Sequence, residues 1–338
     1  MKKIIIAVAY LLCWQFLTAQ QKPQYTQYIL NNYIINPALS GIENYTDVKL
    51  SHRHQWVGLQ GAPVTTYLTI NTPLGKNDER QTSASVPKPG ENPRGKSYWE
   101  NYEAAKPHSG IGLTVINDHT GPLNNFTADA TYAYHIGISP KTNLAVGFGA
   151  GVTNLSLDRG SLFFETPVDP AVYNSGNINT LRPDFNAGIW LYSADYFIGA
   201  SAQQIIPQKV SFIDKEVSLY KGKLVPHLFG TAGYRFLLTD DVNMIPSVMV
   251  KYVEPLPLQF DFNVKLQYQD FLWIGASMRT YDGFAAMLGV NISSKINIGY
   301  SYDLTTSRLN TVSSGSHEII IGFLIGNKYG DWCPRNVW

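Results

Sequence analysis

The sequence predicts an all-β fold, a transmembrane antiparallel up-and-down β-barrel of about 14 strands with a short N-terminal arm. Three observations point there. From about Asp47 onward, apolar residues alternate with polar or small ones at a period of two, as in strands whose two faces meet different surroundings. Charged residues make up 15% of the chain, while tyrosine (21) and glycine (28) are plentiful; ordinary soluble domains carry roughly 25% charge. After the first twenty residues, no apolar run approaches the ~18 residues that a helical membrane span needs.

Residues 1–19 read as a secretory signal peptide. Lys2 and Lys3 form its positive start, Ile4 to Leu12 its apolar stretch, and Ala19 the small residue at the cut. That stretch is too short to anchor the chain across ~30 Å of hydrocarbon. Cys13 directly follows Leu11-Leu12 within the signal peptide, a context that argues against a lipid-modified start. Removing the peptide leaves 24 basic against 25 acidic side chains, with Cys333 as the remaining thiol. Neither an internal disulfide nor a basic face for nucleic acid is expected.

Residues 20–45 form the arm, expected as a periplasmic segment or a lumen plug. Tyr25, Tyr28, Ile29, Tyr33 and Ile34 have rough helical spacing, which Asn36-Pro37 and Gly41 bring to an end.

The barrel is expected over 46–326, followed by a tail at 327–338. Strands are placed near 46–56, 64–74, 109–118, 124–138, 142–157, 183–193, 195–206, 225–238, 242–253, 257–269, 271–280, 283–293, 295–304 and 315–325. Lengths of ~9–13 residues suit a tilted path across a bilayer. A soluble propeller or double sandwich would use strands of ~5–6 residues, and no fixed repeat supports one. The clearest strand puts Phe260, Phe262, Val264, Leu266 and Tyr268 on one face and Gln259, Asp261, Asn263, Lys265 and Gln267 on the other. The first set should reject arginine and the second should tolerate charge. Ala145, Gly147, Gly149 and Gly151 line one face of another strand, which points to a close-packed lumen or a bend.

Five connections, at 139–141, 193–195, 239–241, 269–270 and 293–294, are very short and share one parity of the strand count. Outer-membrane barrels keep short turns in the periplasm, so that end, with both termini, is assigned there. Connections 158–182, 207–224 and 305–314 then face outward. The 75–107 loop is the long periplasmic exception, and its Tyr98, Trp99 and Tyr102 suggest a docking loop.

No catalytic, metal or cofactor site is expected. His52 and His54 would share a strand face, but nothing nearby completes a metal site. Asp118, His119 and His317 could be drawn into a triad, yet no nucleophile elbow accompanies them. Tyr132, Tyr134, Trp190, Trp273, Tyr300 and Tyr302 fit membrane-interface girdles.

Two segments go further. One runs from Gln27-Tyr28 through Tyr33-Ile34-Ile35-Asn36-Pro37-Ala38-Leu39-Ser40-Gly41, and the other from Arg53-His54-Gln55-Trp56-Val57-Gly58 through Gly61-Ala62-Pro63-Val64-Thr65. Together they resemble the PorP/SprF family of outer-membrane proteins associated with type IX secretion and gliding motility. His54 departs from that pattern. The resemblance implies a non-enzymatic outer-membrane component supporting export or surface attachment of large proteins such as adhesins. Its partners would be periplasmic and outer-membrane parts of the type IX machinery, the cargo, and membrane lipid. Asn36, Pro37, Gly41, Arg53, Gln55, Trp56, Gly58, Gly61 and Pro63 carry the motif, in a structural or a partner-binding role. Arg53 must face the lumen or a partner, because lipid exposure at mid-bilayer costs ~2–4 kcal/mol. A channel for small solutes or lipids is the alternative.

Overall fold

The structure is a computed structural model that describes residues 22–76, 102–158, 178–210, 222–269 and 271–327. Among them fourteen antiparallel strands close into a barrel. They are β1 (Thr46–His54), β2 (Val64–Leu74), β3 (His108–Thr120), β4 (Leu123–Ser139), β5 (Thr142–Leu157), β6 (Ile178–Tyr192) and β7 (Tyr196–Gln203). After them come β8 (His227–Tyr234), β9 (Val242–Val253), β10 (Gln259–Tyr268), β11 (Leu272–Arg279), β12 (Gly283–Ser293), β13 (Ile296–Thr305) and β14 (Ser316–Ile325). Each pairs with its sequence neighbours, and β1 closes the ring on β14 with Arg53 opposite Glu318 and His54 opposite His317. Phe236–Leu237 continues the β8 edge past Arg235, and Gln208–Val210 pairs with Gly222–Leu224 in a separate ladder.

The two-residue period sorts the wall. On β10, Asp261, Asn263, Lys265 and Gln267 are buried inside, whereas Phe262, Val264, Leu266 and Tyr268 are exposed outside. Leu50, Ile111, Phe148, Ile189, Phe284 and Ile319 continue this outer apolar surface around the ring. Water would not stabilise so continuous an apolar belt, but lipid does. The chain is an outer-membrane β-barrel. Phe262→Arg should therefore lower barrel stability by ~2–4 kcal/mol if it sits near mid-bilayer, read as an earlier loss of the heat-modifiable gel band. An unshifted transition would place Phe262 outside the hydrocarbon.

Three expectations need revision. The inner face of β10 is not free to take charges, because Asn263 donates to Tyr28 Oη at 2.6 Å and Asp261 accepts from Arg279 Nε at 3.1 Å. Trp190 and Trp273 are not girdle residues: both point inward and are buried, with Trp190 stacked on Phe197 at 5.2 Å. Short connections also occur at both ends. The five short turns share one end, here called the near end, but residues 121–122 and 280–282 are tight links at the far end. Connection length alone therefore does not separate the two ends: 158–177 and 204–226 are at the far end, and the longer 75–107 link is at the near end.

Candidate functional site

Residues 22–45 occupy the lumen. They make three short 3-10 turns, Gln27–Leu30, Asn32–Ile34 and Pro37–Leu39, instead of the helix that their spacing suggests. The breaks have local causes. Asn31 and Asn36 both take extended φ values of about −140°, and a residue before proline is held out of the helical region. Asn36 then caps the third turn by accepting from Ala38 N at 3.0 Å, with Pro37 in the first position.

The arm runs the length of the barrel. Lys22 lies at the far end, where its backbone N–H donates to His227 Nε2 (3.2 Å) and its ammonium group to Gln203 Oε1 (3.2 Å), with Asp184 Oδ2 at 3.7 Å. Gly41 lies against Gly110 and Pro73 at the near end, just before β1 begins. Of the two expected placements, a periplasmic segment or a lumen plug, the described residues lie in the lumen, with the arm's last residues at the near end. Its start is at the opposite mouth.

Three sets of contacts hold it. The first is centred on Arg53, which is 1% exposed and donates from Nη2 to Asp303 Oδ2 (2.5 Å) and from Nη1 to Glu318 Oε2 (3.1 Å) and Thr26 Oγ1 (2.8 Å). Glu318 accepts in addition from the backbone N–H of Thr26 (2.7 Å) and Gln27 (3.2 Å), and Thr26 Oγ1 donates to Asp303. One buried cation thus joins β1, β13, β14 and the arm. The second set lies midway down. Asn31 donates to Thr69, Tyr33 Oη shares a proton with Thr131 Oγ1 at 2.6 Å, and Ser201 and Gln203 donate to the carbonyls of Ile35 and Ile34.

The third set explains the Asn-Pro-Ala-x-x-Gly pattern. Asn36 Nδ2 donates to the carbonyls of Ile189 (3.0 Å) and Ala200 (3.3 Å). The wall opposite this segment is glycine. A Cβ on Gly147 would come within 2.5 Å of Ala38 Cα, and one on Gly110 within 2.5 Å of the Ser40 carbonyl carbon. A Cβ on Gly188 would overlap the Asn36 side chain. Gly41 has φ +72°, and a Cβ there would stand 2.5 Å from Gly110 Cα. Below it, His135 Nε2 donates to Ser40 O at 2.8 Å and stacks on His108, whose Nε2 reaches Gly41 O at 3.2 Å.

The rest of the motif builds the far-end β1–β2 loop. Gln55 N donates to Pro63 O (2.9 Å), Trp56 N to Ser316 Oγ (3.1 Å), and Gly121 N to Gly61 O (2.9 Å). Gly58 and Gly61 have positive φ, which glycine accommodates without strain, and Trp56 also takes a positive φ of 45°. Tyr98 and Trp99 lie outside the described residues. Tyr102 is buried and accepts from Asn143 Nδ2 at 2.8 Å, so it anchors the end of its loop to the wall and does not present its ring to a partner. His52 and His54 point outward, with His52 Nδ1 2.9 Å from Thr66 Oγ1. Among the described residues no group of three or more His, Cys, Asp or Glu gathers as a metal site. Asp118 faces the lumen and accepts from Thr65, whereas His317 is on the outer surface with Tyr300, so the wall separates them.

Sequence reasoning missed Asp303 and Glu318. The inward parity of β13 and β14 was the available signal, since it places carboxylates beside an arginine that also has to face inward.

The family model of the type IX secretion system membrane protein PorP/SprF matches residues 17–323. No curated protein matches the chain significantly. Similar solved structures include the toluene transporter TbuX of Ralstonia pickettii, 10% identical, with 87% of this chain and 92% of that one covered and a TM-score of 0.49. The toluene transporter TodX of Pseudomonas putida is 9% identical, with 90% and 94% covered and a TM-score of 0.47. The outer membrane protein Omp33 of Acinetobacter baumannii is 8% identical, with 85% and 100% covered and a TM-score of 0.45.

Proposed function

We propose, since the chain belongs to the PorP/SprF family of type IX secretion system membrane proteins, that it is a non-enzymatic docking barrel of that machinery. It supports export or surface attachment of large secreted proteins, such as adhesins, through the partners it holds and not through its own lumen. The observation that carries this reading is the arm: residues 22–45 fill the interior and are bonded to the wall on every side. The motif residues Asn36, Pro37, Gly41 and Arg53 keep the arm in place, and Gln55, Trp56, Gly58, Gly61 and Pro63 shape the far-end loop. Partner contact falls to the periplasmic near end, where the 75–107 loop brings Tyr98 and Trp99.

Deleting 81–97 should leave a heat-modifiable barrel, yet weaken co-purification of periplasmic machinery and export of cargo. Unchanged partners and export would reduce the loop to a spacer. The intact protein should show no steady current in planar bilayers. Steady conductance would instead favour a channel for small solutes or lipids.

A further inference from the structure

Closing the ring pairs two histidines that are far apart in the sequence. His54 is the last residue of β1 and His317 the second of β14, and they stand directly opposite each other across the seam. Both side chains are half-buried on the outer face at the far end, beside the β1–β2 loop. Directly opposed residues of an antiparallel pair have Cβ atoms ~4.5–5.5 Å apart. Two imidazoles on that span can close on one ion with Zn–N bonds of ~2.0–2.1 Å.

The His317 ring is held in the way a ligand needs. Its Nδ1 lies 2.7 Å from Tyr300 Oη, and the Tyr302 ring is 5.0 Å away, centroid to centroid. With Nδ1–H donating to Tyr300, the lone pair of Nε2 is left for an ion, and the partner fixes both tautomer and ring orientation. Among the described residues no hydrogen bond engages the His54 imidazole. His52 shares the outer face, but its Nδ1 is 2.9 Å from Thr66 Oγ1, which draws that ring towards β2 and away from the seam.

We propose that His54 and His317 bind a divalent transition ion, zinc or copper, as a two-imidazole clip across the seam, with water completing the coordination. Imidazole ligands without a carboxylate select such ions over magnesium and calcium, which take oxygen. One ligand comes from the first strand and the other from the last, so only the closed ring offers the site, and the bound ion resists its opening. The inference stands apart from the secretion reading and needs only the closed barrel.

The test uses the full mature chain, untagged and carrying Cys333→Ser, in a chelator-treated neutral detergent. Zn2+ should raise the temperature at which the heat-modifiable band is lost, in a saturable manner, and Mg2+ should not. His54→Ala and His317→Ala should each abolish that shift, whereas His52→Ala should keep it. Tyr300→Phe should raise the zinc concentration needed by about tenfold. Electron paramagnetic resonance of one equivalent of Cu2+, on the chain with all its histidines, should count two imidazole nitrogens. That readout does not depend on how any variant folds. An absent or unsaturable shift, an equal shift with Mg2+, a shift that survives His317→Ala or is lost in His52→Ala, or a copper ion with fewer than two imidazoles would each overturn the proposal.

Discussion

Replacing Arg53 with methionine should release the arm. The substitution leaves Glu318, fully buried, and Asp303, 7% exposed, side by side without the cation that joins them. Breaking a buried pair by removing one partner costs ~3–5 kcal/mol, mostly because the remaining charge keeps its desolvation penalty. Here two carboxylates share the loss, and one of them also holds the backbone of Thr26 and Gln27. The opening equilibrium of the arm should rise by a factor on the order of 10²–10³. The readout is the rate at which a thiol reagent modifies a cysteine placed at Leu30 in a Cys333→Ser background. Arg53→Met combined with Glu318→Gln should recover part of the protection, since one of the stranded charges is gone. If labelling in Arg53→Met stays at the parent rate, the arginine is not what retains the arm.

The second large effect is steric. Gly147→Val and Gly110→Val place side-chain atoms where the backbone of Ala38 and of Ser40 already lies. Overpacking of this kind costs ~1–3 kcal/mol per site, more when the clash is with main chain. Because the wall is a closed hydrogen-bonded ring and the arm is held by scattered bonds, the arm should be the part that yields. Planar bilayers should then show channel openings in both variants but not in the parent protein. Gly230→Ala serves as the control, because nothing lies within 4 Å of a Cβ built there. Openings in the control at the same frequency, or closed behaviour in both valine variants, would refute the account.

The strands were legible because a barrel wall obeys one local rule. Expected bounds match β2, β5, β9 and β12, where the alternation is clean and turn residues sit at both ends. β6 begins at Ile178, earlier than expected, because Pro183 lies inside the strand opposite Val152 where a proline normally argues for a boundary. Trp190 and Trp273 were misplaced although their parity was readable: Asp184, Asn186 and Gly188 on β6 share the face of Trp190, but residue type outweighed position. The arm's path was not legible. Its partners are glycines on β3, β5 and β6 and carboxylates on β13 and β14, brought together only when the ring closes. No local pattern encodes a contact between Thr26 and a residue 292 positions away.

That long-range contact bears on how the barrel is assembled. The seam between the first and last strands closes the ring, and it carries Arg53 on one side and Glu318 on the other. Thr26 and Gln27 complete the same cluster from within. A ring that shut without its leading segment would seal two carboxylates and a guanidinium inside while leaving some of their hydrogen bonds unmade. A one-residue slip of the seam would turn Arg53 towards lipid. The seated leading segment thus acts as a gauge of the seam: only the register that faces Arg53 inward against Glu318 lets Thr26 and Gln27 complete the cluster.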